Sequence, residues 1–433
     1  MLEQPRVFGA ELRRLRIGAG LSLTQLAAAV HYSKGQLSKI ETGRKRPTVE
    51  LARLCDAALD AQGTLAALVP VRPPRAETVR PYTRPGTEGT SPAAEQSLPH
   101  PGSPAPPSRR QVIAIGAASV LSAGAGEQSP GGPPLAQEES VAGAYRALLD
   151  QYRRIGQMSP PDTLLPVLAE QTHALRRLAT RSGSRCDGEL LALAAHFAVF
   201  TGWLAQEAGD EGAALRWTAH AVDLADASGD RDLASYALVR RALVTYYRGE
   251  AADTVALAVG ARSPELPPRI RGLAAQREAQ GHALAGDHDA CMRGLERARL
   301  LLDQDPGAAG APVLGTTHLG DPVSMITGWC LLDLGRPRAA AEILDRECGR
   351  LPTVAWRTQA RYGVRRALAH AVAGEIDHAC ALTEGLLPLT TSVSSATVAT
   401  DLRRLARTLA RHPRNRSYLS VAPHLTAALT LAP

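Results

Sequence analysis

Apolar residues recur at helical spacing along most of the chain, and the alternation typical of strands is nearly absent. Near the N-terminus, Leu26, Ala27 and Val30 form one apolar face, and Leu37 and Ile40 form a second. Beyond residue 139, helix-length apolar segments are separated by Gly-Asp, Gly-Glu and Pro. The pattern therefore predicts an all-α fold.

Two helix starts of one kind lie eleven residues apart in the N-terminal part. Ser22 is followed three residues later by Gln25, and Ser33 is followed three residues later by Gln36. In such a capping box the serine hydroxyl accepts a hydrogen bond from the glutamine backbone N–H, and the glutamine side-chain oxygen accepts one from the serine backbone N–H. Two short consecutive helices are predicted.

The second short helix is predicted to present a polar, cationic face opposite its apolar face. The residues on that face or in its exposed first turn are Lys34, Gly35, Gln36, Ser38, Lys39 and Thr42. The basic run Arg44, Lys45 and Arg46 follows, placed for contacts to phosphates. Basic residues outnumber acidic ones 49 to 42, and the chain's lysines are confined to positions 34, 39 and 45. A helix of this kind suits the major groove of DNA, the alternative being an ordinary solvated helix.

The run "LSLTQLA" followed by "LSKIETGRKRP" resembles the XRE family of helix-turn-helix proteins, which includes phage Cro and CI repressors, over about Val7–Val69. The resemblance implies a five-helix, lambda-repressor-like domain over residues 1–69, with its recognition helix at 33–42. It implies that Lys34, Gly35 and Lys39 face base edges, and we expect Gln25 to join the DNA contacts. A homodimer would then bind an inverted-repeat operator in double-stranded DNA.

Two further positions are interpreted through the same resemblance. Arg16 and Glu41 match a buried structural ion pair that ties the first helix to the recognition helix in relatives. His31 stands where relatives have a turn glycine, which predicts an altered turn.

Residues 70–138 are predicted to form a disordered linker, because eleven prolines fall between residues 70 and 107 and periodic apolar positions are almost absent there. The linker would let the two flanking parts move independently. Within it, residues 108–126 (SRRQVIAIGAASVLSAGAG) resemble a twin-arginine export signal, but 107 residues precede them. We expect a short apolar helix over 109–122 instead, with export as the alternative.

Five glycines indicate a repeat within residues 139–433. Gly209, Gly249, Gly286, Gly335 and Gly374 each end an apolar stretch, and they are spaced by 40, 37, 49 and 39 residues. Small residues stand seven positions before and five positions after every one of them, which predicts paired helices that cross closely. The offsets resemble those of tetratricopeptide (TPR) repeats, so a TPR-like α-solenoid is expected.

Helical arrays of this type commonly bind peptides or proteins on a concave surface. We expect Trp203, Arg240 and Arg361 to contribute to an effector site there. The alternative is that the tryptophans pack between helices and the arginines form a solvated face.

Sequence motifs for other chemistry are absent. The chain lacks GxGxxG, P-loop, HExxH and GxSxG patterns, so no enzyme activity, cofactor or metal is expected. The similar runs "GDHDAC" and "GEIDHAC" are interpreted as equivalent repeat positions rather than a metal site. No apolar run reaches the roughly 20 residues of a membrane span, so no membrane partner is expected.

These features predict a cytoplasmic, nucleoid-associated transcriptional regulator that binds specific DNA sequences. Its TPR-like domain would mediate homodimerisation, bind a peptide or protein effector, or both. The arrangement resembles regulators of development or secondary metabolism in actinomycetes, with which the Arg- and Ala-rich composition agrees. The alternative is a TPR interaction scaffold whose DNA binding is weak or only localising.

Overall fold

A computed structural model describes residues 4–69, 134–182, 187–305 and 312–433 of the chain, and all regular structure there is helical. The predicted all-α fold is confirmed for these residues. The predicted short helix at 109–122 lies outside them, as do the twin-arginine-like segment and residues 70–133 of the predicted linker.

The N-terminal helices, here called the head, form a small bundle. They are α1 (Gln4–Gly18), α2 (Leu23–Ala29), α3 (Lys34–Glu41), α4 (Val49–Leu59) and α5 (Thr64–Ala67). Phe8, Leu12, Leu26, Leu37 and Leu51 are almost completely removed from solvent between them. Burial of each such side chain contributes about 1.5–3 kcal/mol, so this core alone fixes the relative positions of the helices.

The first predicted capping box is confirmed. The Ser22 hydroxyl accepts the Gln25 backbone N–H at 3.2 Å, and Gln25 Oε1 accepts the Ser22 N–H at 2.8 Å. At the start of α3 the Ser33 hydroxyl accepts the Gln36 backbone N–H at 3.2 Å. Both helices therefore begin where the sequence predicts, but only the Ser22 box has both of its predicted hydrogen bonds.

The remaining helices, here called the array, stack as antiparallel neighbours. They are α6 (Pro134–Met158), α7 (Pro161–Ser182), α8 (Asp187–Glu207), α9 (Glu211–Ser228), α10 (Arg231–Arg248), α11 (Ala251–Gly260), α12 (Pro268–Ala285), α13 (His288–Asp303), α14 (Pro322–Asp333), α15 (Pro337–Cys348), α16 (Trp356–Val372), α17 (Ile376–Val393), α18 (Ala396–Leu409) and α19 (Arg416–Leu431). The first of them begins at residue 134, five positions before the predicted boundary at 139.

The repeat predicted from glycines is confirmed. The five marker glycines have φ between 76° and 88°, a left-handed conformation that ends a helix and favours glycine. The small residues around them are buried where helices cross; a Cβ on Gly202 would lie 3.2 Å from the Ala214 carbonyl oxygen. The long interval between Gly286 and Gly335 contains the segment 304–321, which joins α13 to α14.

The late helices of the array lie against the early ones. Arg357 on α16 donates from Nε to the Gly156 carbonyl at 2.8 Å and from Nη2 to the Ser159 carbonyl at 2.6 Å. Its Nη1 also reaches the Glu207 carboxylate at the end of α8, at 3.2 Å. These contacts close a cavity between the two parts of the array.

The prediction that head and array move independently is wrong for this structure, because the two pack together in one compact unit. Arg53 Nη2 on α4 donates to the Leu284 carbonyl of the array at 2.5 Å. The Arg411 guanidinium lies 4.7 Å from the Tyr32 ring centre and 3.7 Å from Glu50. The prediction of independent motion rested on the composition of residues 70–138. That composition contains no information about whether the surfaces of the head and the array fit each other, so the sequence did not predict this contact.

One helix among the described residues is long and apolar enough to cross a membrane, by length and composition alone. It is the stretch Gly188–Glu207 of α8, and 67% of its apolar window is buried inside the protein. That burial is typical of a core helix.

Candidate functional site

The α3 helix of the head presents its polar face to solvent. Lys34, Gly35, Lys39 and Thr42 are exposed, whereas Leu37 and Ile40 on the opposite side are buried. A Cβ placed on Gly35 would meet nothing within 4 Å, so this face is open to close approach by a ligand. Gln36 and Ser38 are half-buried at its border, and Gln25 is exposed at the start of α2.

The basic run is fixed beside α3 by backbone hydrogen bonds. Gly43, with φ of 70°, turns the chain so that the N–H groups of Arg44 and Lys45 both donate to the Lys39 carbonyl, at 2.8 and 3.0 Å. Arg44, Lys45 and Arg46 are exposed. The turn therefore brings three further cations next to Lys39, in the arrangement that phosphate contacts need.

The orientation of α3 is held by Arg16 and Glu41. The Arg16 guanidinium donates to both carboxylate oxygens of Glu41, at 2.6 and 3.1 Å, and Nη1 donates to the Leu21 carbonyl at 2.8 Å. The two side chains are only 12% and 8% exposed. A two-pronged pair with this degree of burial couples α1 to the end of α3 in a defined geometry.

The head contacts the array through the side that does not carry these cations. The contacts come from His31, Tyr32, α4 and Gly63, and on the array they involve three of the marker glycines, Gly286, Gly335 and Gly374. A Cβ on Gly335 would lie 2.5 Å from the Arg53 carbonyl oxygen, and a Cβ on Gly286 would lie 3.2 Å from Gly63 Cα. The polar face of α3 thus stays accessible while the head is docked.

His31 packs against the array in this contact, a role that the sequence did not predict. Its φ of 53° is the left-handed conformation that suits a turn glycine, so the altered turn predicted from this replacement is not observed. A Cβ on Gly374 would lie 2.5 Å from its Nδ1. Burial lowers the pKa of the His31 imidazole, and Arg338 and His412 lower it further against an opposing effect of Glu375. The imidazole is therefore a packing group against the array.

The cavity of the array brings Trp203, Arg240 and Arg361 together. It has a volume of about 170 Å³, and its walls come from α6, α8, α10, α12, α16 and the segment 314–319. All three residues expected at an effector site line it.

Other tryptophans and arginines of the array lie outside this cavity. Trp329 is 1% exposed and stacks on Arg365, whose guanidinium is 3.4 Å from the ring centre. Trp217 contacts His173 and His220, and Arg241 is exposed. Trp217 and Trp329 therefore pack against other side chains and Arg241 is solvated, as the alternative interpretation predicts.

A buried carboxylate that the sequence analysis missed organises one wall of the cavity. Glu207 is 1% exposed and pairs with Arg357 and Arg361, and the hydroxyls of Ser395 and Thr397 donate to it at 2.6 and 3.0 Å. Burial alone would raise the pKa of the Glu207 carboxyl, but Arg361 and Arg357 lower it to about 2. The spacing of Arg357, Arg361 and Arg365 by four residues was the available sequence signal, because it places three cations on one face of α16.

A second buried network continues from α16 toward the head. Arg365 pairs with Asp401 at 2.8 Å, and Tyr246 donates its hydroxyl hydrogen to Asp333 at 2.5 Å. Arg404 donates to the other Asp333 oxygen at 3.0 Å. Burial lowers the pKa of Arg53 in the head, and the Asp333 charge opposes that shift. The helix that lines the cavity therefore also contributes to the charged groups beneath the docked head.

One cluster among the described residues has the composition of a metal site. Ligand atoms of Asp345, His370 and His378 lie within 4.8 Å of one another. Both His370 ring nitrogens already have partners, Glu375 at 2.6 Å and Asp345 at 3.0 Å, and Arg366 pairs with the same Asp345. A cation next to that carboxylate disfavours a metal ion, so the group is better described as a hydrogen-bond network.

Comparisons with known proteins gave one family match and one similar solved structure. Residues 7–69 match a family described as helix-turn-helix domain. Among solved structures, a Rap protein complexed with the competence and sporulation factor is similar, with a TM-score of 0.41, 15% identity, and coverage of 69% of this chain and 86% of that chain. No curated protein sequence matches the chain. The N-terminal head thus matches a helix-turn-helix domain, and it is followed in the structure by an all-α array of helix pairs.

Proposed function

We propose that the protein is a sequence-specific DNA-binding transcriptional regulator whose array receives an effector. The helix-turn-helix domain suggests a DNA-binding regulator. The contact residues, the homodimer and the effector site are part of the proposal. The observation that carries it is the exposed face of α3, where Lys34 and Lys39 stand next to three further cations.

The proposed recognition set is the one expected from the sequence. Lys34, Gly35 and Lys39 face base edges, where lysine pairs with guanine O6 and N7. The other proposed contacts to bases or backbone are Gln25, Gln36, Ser38, Thr42, Arg44, Lys45 and Arg46. Arg16 and Glu41 act by holding α3 in place.

One head supplies few base contacts, so we propose that a homodimer binds two half-sites about one helical turn apart. The protein would act in the cytoplasm at the nucleoid, where its operator lies.

The effector is proposed to bind in the cavity, with Trp203, Arg240 and Arg361 among its contacts. Because α16 lines the cavity and also carries Arg365, an occupied cavity would change the stability of head docking and hence the population of DNA-competent dimers.

The direct test is selection of bound sequences from a random DNA pool, followed by titration of the enriched site and a scrambled site. A regulator should enrich one inverted repeat and prefer it by about 10³-fold or more at physiological salt. Equal affinity for enriched and scrambled DNA would favour the scaffold alternative.

A further inference from the structure

The cavity of the array contains more positive charge than its own carboxylates balance. Five arginines line it: Arg153, Arg240, Arg277, Arg357 and Arg361. The single carboxylate of Glu207 is shared by Arg357 and Arg361, and the nearest carboxylate to Arg153 is Asp150, 3.8 Å away and 63% exposed. The imbalance is greatest on the side where α10 and α12 line the cavity.

On that side, Arg240 and Arg277 have neutral partners. Arg240 Nη2 donates to Gln206 Oε1 at 3.1 Å, and Arg277 donates to Gln280 Oε1. Among the described residues, neither guanidinium is within ion-pair distance of a carboxylate. Arg240 Nε is buried without a hydrogen-bond partner, and so is Nε2 of Gln276, which is only 2% exposed and lines the same cavity.

These unpaired groups are all N–H donors, so the cavity lacks a hydrogen-bond acceptor for them. Burial lowers the pKa of Arg240 and of Arg277, and the opposing effect of the Glu207 charge at Arg240 is smaller than that of burial. Donors left unsatisfied in a protein interior are unfavourable unless a ligand or water completes them, and a cation is completed best by an anion.

Another part of the cavity lining is apolar and aromatic. Phe200 and Trp203 stack with their ring centres 5.4 Å apart, and Tyr236 and Leu273 also line the cavity. A ligand that satisfies both the cationic and the apolar groups has an aromatic or aliphatic body and one anionic group.

The size of the cavity limits that body. A volume of about 170 Å³ is close to the roughly 150 Å³ of an engineered cavity that holds benzene. A space of this volume suits a compact molecule better than a whole peptide.

We propose that the cavity is a binding site for a compact organic anion, whose carboxylate or phosphate group contacts Arg240, Arg277 and Gln276 while its apolar body packs on Trp203. The inference rests on the effector role proposed above, and it replaces the expected peptide with a small acid as the occupant of this cavity.

The experiment is calorimetric titration of the full chain with benzoate, phenyl phosphate and the neutral benzamide. At least one anion should bind about tenfold or more tightly than benzamide, because charge-assisted hydrogen bonds are roughly twice as strong as neutral ones. The better anion of the two identifies the acidic group. Equal binding of benzamide, or no binding of either anion, would overturn the proposal.

A matched pair of variants locates the site. R240Q removes an unpaired buried charge, so the protein should fold, which its circular dichroism would check. R240Q should weaken anion binding about tenfold or more, whereas R241Q, on the exposed side of the same helix, should change it less than about twofold. Wild-type affinity in R240Q would contradict the assignment.

DNA titrations of the same samples separate this inference from the proposed function. Specific DNA binding without anion binding would overturn the anion site alone. Anion binding without specific DNA binding would leave the site intact and reject the regulator.

Discussion

The cations of α3 and those of the cavity differ in surroundings rather than in charge. Lys34 and Lys39 are exposed, whereas Arg240 and Arg277 are half-buried in the cavity, with no carboxylate within ion-pair distance among the described residues. Exposed cations are free to meet a polyanion over a long surface, with affinity that depends on salt. Enclosed cations instead select a ligand small enough to enter, so the two regions suit different partners in one chain.

The pair Arg357 and Arg361 shows how an enclosed cation is stabilised when a carboxylate is supplied. Glu207→Ala would leave both arginines buried without counter-charge, so we expect a loss of about 3–5 kcal/mol in the free energy of unfolding, measured by urea titration. The control is Glu211→Ala, which removes a surface pair with Arg248 and should cost less than about 1 kcal/mol. Similar losses in the two variants would refute the contrast between enclosed and exposed charges.

The same carboxylate gives a pH dependence. The pKa of Glu207 is lowered from 4.5 to about 2, so its contribution to stability is complete above pH 4.5 and is lost as the pH falls toward 2. Linkage predicts a loss of about 3 kcal/mol across this window in the wild type. Urea titrations at several pH values should show that the free energy of unfolding falls less with decreasing pH in Glu207→Gln than in the wild type. Equal decreases in the two proteins would contradict the assignment of this pH dependence to Glu207.

Head docking is tested by two glycines that differ in their surroundings. Gly335 and Gly229 both have positive φ, but a Cβ meets the Arg53 backbone at 2.5 Å in the first case and nothing within 4 Å in the second. Both Gly→Ala changes should cost about 1 kcal/mol of backbone strain, and Gly335→Ala should cost about 1–3 kcal/mol more by displacing the head. Hydrogen exchange in α4 should accelerate only in Gly335→Ala, and equal protection in both variants would argue against the docked contact.

The smallest expected effect concerns one exposed cation. Lys45→Ala should weaken binding to all DNA sequences about equally and reduce the slope of log affinity against log salt by about one. Benzoate or phenyl phosphate binding to the cavity should not change. A sequence-dependent loss would place Lys45 at a base instead of a phosphate.

The sequence predicted the head well, because its information is local. The Ser22 capping box and the apolar faces of α2 and α3 depend on short spacings. The Arg16–Glu41 pair, 25 residues apart, was instead predicted through the resemblance to XRE proteins. The array was predicted through Gly209 and its equivalents, since a left-handed helix end imposes glycine whatever the neighbours are.

What the sequence did not predict depends on contacts between distant segments. Glu207 meets Arg357 across 150 residues, and Arg53 meets Leu284 across 231. The hydrophobic periodicity of the sequence does not reveal such pairs, because they depend on how the early and late helices of the array pack together and on where the head docks. Trp203, Arg240 and Arg361 were selected by residue type, and the fold brings them into one cavity.

The most direct test of the account is the preference of K34A/K39A for the selected operator over scrambled DNA, measured by gel-shift titration. The charge-matched control is R216A/R293A, which removes two exposed cations from the array. We predict that K34A/K39A folds and loses the operator preference while the control keeps it, because only α3 reads base edges. Retention of the preference by K34A/K39A would contradict the assignment of α3 as the recognition helix.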